Sequence, residues 1–69
     1  MPLSMATVGE KNRITRITGK DEIRQHLAEL GFVVGGEVTI ISVIGGNMIL
    51  SIKESRIALD RVLANRILV

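Results

Sequence analysis

The chain has no cysteine, tryptophan or tyrosine, and among its 69 residues it has one phenylalanine, one proline and one histidine. Without cysteine there is no disulfide framework and no zinc–thiolate site, which suits a reducing setting. Proteins that hold single-stranded nucleic acid stack bases on several aromatic side chains, and grooves that read proline-rich peptides are lined with them. Phe32 alone supports neither mode. The longest apolar run, Val38 to Ile44 ("VTIISVI"), is interrupted by Thr39 and Ser42. It falls far short of the roughly 20 residues that span a bilayer. The start, "MPLSMATVGEKNR", lacks a basic leader followed by an apolar core, so no signal peptide is expected. Charge of either sign is also scarce in excess: nine Lys and Arg stand against seven Asp and Glu, a net +2. Lys11, Arg13, Arg16, Lys20 and Arg24 give the first third a mild basic bias, not a basic block. A cytoplasmic chain is expected, with no nucleic acid among its partners and no insertion into a membrane.

What is abundant is aliphatic: 46% of residues are hydrophobic. A chain of this length makes one domain, residues 1–69, and buries only about 60% of its unfolded surface. Some aliphatic side chains must therefore stay outside, where a patch can meet a partner or a second copy.

"KNRITRIT", Lys11 to Thr18, is β-branched and reads as a strand. Ile14 and Ile17 are three apart, so either a bulge re-aims one of them or the strand is short. Lys20 to Leu30 reads as a helix with Ile23, Leu27 and Leu30 on one stripe, Asp21 and Glu22 in its first turn, and Thr18 or Gly19 as N-cap. Val38 to Ile44 and Met48 to Glu54 read as strands joined by Gly45, Gly46 and Asn47, a hairpin. Strict alternation turns Val38, Ile40, Ser42 and Ile44 one way and Thr39, Ile41 and Val43 the other. Arg56 to Leu59 is a short strand, Asp60 to Asn65 one helical turn opened by an Asp cap, and Arg66 to Val69 a last strand. Five short strands in this order predict a mainly β fold: a small five-stranded barrel of the SH3-like kind. One α-helix lies between strands 1 and 2, and one helical turn precedes the last strand.

Three of the seven glycines, Gly31, Gly35 and Gly36, follow the helix. A phosphate cradle needs glycines before a helix N-terminus, where N–H groups converge. After a C-terminus they serve the backbone. Gly31 takes the left-handed position that closes the helix, with Phe32 stapled onto Leu27. Gly35 supplies positive φ in a type II turn, and Gly36 releases the next strand.

The pattern formed by Leu3, Gly9, Leu27, Leu30-Gly31-Phe32, Gly35, Ala58-Leu59 and the closing Ala64, Ile67 and Val69 covers nearly the whole chain in order. It resembles ferrous-iron transport protein A (FeoA). The sequence departs from that family at Val34-Gly35, where Pro-Gly is common, and in its short hairpin loop. The resemblance implies an SH3-like barrel and a regulatory or accessory partnership with a membrane ferrous-iron transporter that carries a GTPase domain (FeoB). The chain would then sit in the cytoplasm, held at the inner membrane face through that partner. The same domain type closes metal-dependent transcriptional repressors, so a stand-alone regulatory domain of that kind is the alternative.

No catalytic set is expected, because His26 sits in the helix with no nearby Ser or Thr, and no cofactor is expected. No metal site is expected: Glu22, His26 and Glu29, at i, i+4 and i+7, could hold Fe²⁺ or Zn²⁺ by their chemistry, but a solvated polar helix face is the favoured reading. The expected partner contacts are Ile41 and Val43, joined by Ile49, and secondarily Arg24 beside Leu27.

Overall fold

The computed structural model describes residues 1–53 and 55–69. After a short 3-10 turn at Leu3–Met5, the elements run β1 (Lys11–Arg13), β2 (Arg16–Ile17), α1 (Asp21–Leu30), β3 (Glu37–Ile44), β4 (Asn47–Ile52), β5 (Ser55–Asp60), α2 (Arg61–Ala64) and β6 (Ile67–Leu68). They form a four-stranded antiparallel sheet in the order β1-β3-β4-β5 and a two-stranded one, β2-β6. The expected closed five-stranded barrel is thus six strands in two sheets.

The extra strand arises where one run changes partners. Ile14 donates to the Gly36 carbonyl at 2.8 Å, while the next residue, Thr15, donates to the Leu68 carbonyl at 2.8 Å. The run from Lys11 to Thr18 crosses from one ladder to the other at that step. Ile14 is fully buried and Ile17 half-buried in consequence, although they are three apart. The same second ladder corrects the helix N-cap. Thr18 donates its amide to Arg66 at 2.7 Å and so belongs to the β2–β6 ladder, and Gly19 sits at φ +112°. Lys20 becomes the N-cap, and its side chain makes no capping bond.

The helix closes as a Schellman motif: Phe32 donates to Leu27 at 2.9 Å and Gly31 to Ala28 at 3.0 Å, with Gly31 at φ +109°. Leu27 and Phe32, the two residues the motif brings together, are both fully buried. Gly36 donates to the Val33 carbonyl at 2.9 Å, closing a turn with Gly35 at φ +87° in its third place. This turn is tied to Ile14 by a 2.7 Å bond from the Gly35 amide to the Ile14 carbonyl.

The β3–β4 loop is Gly45-Gly46, because Asn47 pairs with Ile44 as the first residue of β4. Gly45 at φ +59° meets the requirement of a tight hairpin for positive φ at its first central residue. The expected strand from Met48 to Glu54 ends earlier, at Ile52, before Lys53 at φ +49°. Glu54 lies outside the described residues. Asp60 accepts from the Leu63 amide at 2.8 Å and opens α2.

The core is aliphatic around Phe32. Leu3, Ile14, Leu27, Val38, Ile40, Met48, Leu50, Ile52, Leu59, Ala64 and Ile67 fill it, and no polar side chain is buried among the described residues. Both chain ends are tied in: the Val69 amide donates to the Met1 carbonyl at 2.8 Å, and the Met1 ammonium to the Val69 carbonyl at 2.9 Å.

Candidate functional site

The surface that decides most is set by a bulge. β3 and β4 pair Ile40 with Leu50 and then Ser42 with Ile49, so Ile41 is an extra residue with no partner. One extra residue reverses the alternation beyond it. Ser42 and Ile44 thereby share the face of Ile49 and Asn47, and Val43 stands opposite buried Met48. The expected alternation is corrected accordingly. Ile41 and Val43 are 37% and 40% exposed. Ile49 is half-buried and joins Ser42 on the opposite face from Val43.

Neighbouring elements add apolar side chains that the strand pattern alone did not assign. The Arg61 amide donates to the Gly46 carbonyl at 3.1 Å, which sets the start of α2, and exposed Val62, beside the hairpin tip with Val43 and Ile44. The Gly9 amide donates to the Ile40 carbonyl at 2.8 Å, which sets exposed Val8 beside the bulge at Ile41. The 3-10 turn carrying exposed Met5 packs against α2. The result is a set of uncovered aliphatic side chains around the hairpin-tip end, with Val43 on the face of Met48 and Ile44 on the opposite face with Ile49. Ile44 stood beside a glycine pair and Val62 on a one-turn helix, and neither signal revealed exposure before the packing was known.

The other expected residues fall elsewhere. Leu27 is fully buried against Phe32 and cannot meet a partner, because the helix turns its apolar stripe inward. Arg24 is exposed and ion-paired with Asp21 one turn earlier. Glu22, His26 and Glu29 lie exposed along α1. Among the described residues no group of three His, Cys, Asp or Glu side chains comes close enough to hold a metal ion. Helical spacing lines the three up along the axis without converging them. Gly31, Gly35 and Gly36 serve the backbone, as described above.

A second feature is an open groove of about 450 Å³ lined by Lys11, Gly35, Glu37, Thr39, Ser51 and Lys53. Lys11, Thr39 and Ser51 lie in one cross-strand row. Lys11 and Glu37 form an exposed pair at 3.7 Å, so the groove carries both signs of charge. Arg13 and Arg16 are exposed on β1 and β2. No helix among the described residues is long and apolar enough to cross a membrane.

Comparison with known proteins places this geometry. A sequence model described as the FeoA domain matches residues 1–69. The crystal structure of an iron uptake regulatory protein (FeoA) superimposes with a TM-score of 0.89 at 28% identity, covering 97% of this chain and 91% of that one. FeoA of Stenotrophomonas maltophilia complexed with zinc, a procaryotic SH3 domain protein suggested to act as a ferrous iron transport activating factor, gives 0.85 at 28% identity. There 99% of this chain and 87% of that one are covered. A manganese-dependent transcriptional repressor shares the fold, with a TM-score of 0.88 at 16% identity over 97% of this chain and 39% of the repressor. Comparison with curated protein sequences gave no match. The fold is thus mainly β, small and SH3-like.

Proposed function

Because this chain belongs to the FeoA family, we propose that it is a small cytoplasmic accessory protein of bacterial ferrous-iron uptake. It docks, without catalysing a reaction, onto a membrane Fe²⁺ transporter that carries a GTPase domain (FeoB), and so sits at the inner membrane face through its partner. The observation that carries this reading is the set of uncovered aliphatic side chains around the hairpin tip, which flank it on both faces of the sheet. Val43, Ile44 and Val62 have no polar function there, and their exposure costs solubility. Burial against a partner returns roughly 25 cal/mol for each Å² removed from water. Docking changes transport only if the partner's nucleotide states bind this chain with different affinity.

The test is a binding measurement against the transporter's isolated GTPase domain, with and without guanine nucleotide. An Ile41→Asp, Val43→Asp, Ile44→Asp variant that keeps the native circular dichroism should bind about tenfold more weakly or worse. Undiminished binding by that folded variant sinks the proposed surface. Absence of binding by the wild-type chain in every nucleotide state sinks the proposed partner.

A further inference from the structure

We propose that the outer edge of β5 pairs antiparallel with β5 of a second copy of this chain, about a twofold axis at Ala58. β5 closes one side of the four-stranded sheet, and among the described residues no strand lies beyond it. It is six residues long, "SRIALD", without proline or bulge, two of the devices that usually blunt an exposed edge; its charges, Arg56 and Asp60, are of opposite sign.

The backbone phase of this edge is fixed by one bond. Arg61 donates to the Gly46 carbonyl at 3.1 Å, one step beyond the Asn47–Asp60 pair. In an antiparallel ladder bonded and unbonded pairs alternate. Met48–Leu59 and Leu50–Ile57 are then bonded pairs, while Asp60, Ala58 and Arg56 turn their amides away from β4. A second strand must set outward residues against outward residues. A twofold axis at Ala58 does so: Ala58 meets its own copy, and Arg56 meets Asp60 of the second copy, twice.

Side chains agree with that register. Arg56, Ala58 and Asp60 share the outer face of the sheet and are all exposed. The pairing therefore sets a guanidinium across from a carboxylate at both ends, with only the small Ala58 methyl groups between them. On the inner face half-buried Ile57 stands across from Leu59 of the second copy, which is already buried in its own core, so this pair adds little. Moving the axis to Ile57 keeps the backbone phase but sets Arg56 against Ala58 instead, so charge selects Ala58. Opposite-charge cross-strand pairs stabilise a ladder and fix its register. This edge reaches the hairpin tip at Asp60, but self-association is read on the chain alone and docking against the GTPase domain, so either proposal can fail without the other.

A six-residue edge is small beside the roughly 800 Å² per partner of a standard interface, so the dimer should be weak, with Kd on the order of 0.1 mM. Light scattering on the 69-residue chain over roughly 10 µM to 1 mM should show the mass rising from monomer towards dimer. Over the same range, amide hydrogen exchange at Arg56 and Ala58 should slow severalfold, while Ile57 and Leu59 stay protected throughout. Arg56→Glu sets like charges opposite each other and should weaken the dimer about tenfold or more. Ala58→Pro removes the central donor on an edge where proline is tolerated and should abolish association. A mass that stays monomeric at 1 mM overturns the proposal. So does a dimer in which the Ala58 amide exchanges equally fast at all concentrations, or one that Arg56→Glu leaves intact. The exchange measurement on the wild-type chain decides even where a variant fails to fold.

Discussion

Gly31 and Gly35 both hold positive φ, yet their surroundings separate them. A Cβ on Gly31 would lie 2.8 Å from Cδ1 of Ile52, while one on Gly35 would meet nothing within 4 Å. Gly35→Ala should therefore cost only the left-handed strain, about 1 kcal/mol. Gly31→Ala adds the displacement of a core side chain and should cost roughly 2–3 kcal/mol. Urea midpoints of the two variants check this. Equal losses would mean that Ile52 yields without penalty. The closing role of Gly31 was legible in the sequence from its place after the last apolar helix position. The contact with Ile52 was not, because it joins residues twenty-one positions apart.

At the scale of elements, α1 starts without a capping side chain. Lys20 holds extended backbone (φ −68°, ψ 158°), the geometry in which a serine hydroxyl reaches the free amides of the first turn. Lys20→Ser should stabilise the chain by about 1 kcal/mol, seen as a melting temperature higher by roughly 5 °C. No rise would mean that solvent already satisfies those amides. The helix, the hairpin and the Asp60 cap were readable from periodicity and turn residues, since each depends on neighbours in sequence. The split between β1 and β2 was signalled only by the three-residue spacing of Ile14 and Ile17, and the bulge at Ile41 by nothing local. The split exists because one run changes ladders, the bulge because β3 carries one residue more than β4 opposite it.

For the molecule as a whole, the two chain ends matter beyond their length. Leu3 is fully buried, and the Met1–Val69 bonds hold its segment against β6, which Pro2 also bridges at Leu68. A chain of this size has a total stability of roughly 3–10 kcal/mol. Leu3→Ala should remove about 3 kcal/mol of it. Thermal melting followed by circular dichroism should then show a chain close to unfolding at 37 °C. A loss below about 1 kcal/mol would place the N-terminal segment outside the cooperative unit.

Composition and local pattern by themselves determined a mainly β chain with an aliphatic core, one amphipathic helix and glycines given to backbone turns. They also carried the family resemblance, whose positions Leu3, Leu27, Phe32, Leu59, Ala64 and Ile67 are core residues in the fold. These follow from propensity, periodicity and turn geometry, which act over a few residues. Tertiary structure decided which aliphatics stay outside. Leu27 and Val43 are both apolar side chains on well-formed elements. One lies against Phe32, while the other stands uncovered past a bulge. Exposure is a property of what packs against a residue, and here that was settled by a partner change at Ile14–Thr15, an unpaired Ile41 and the docking of α2 at Gly46.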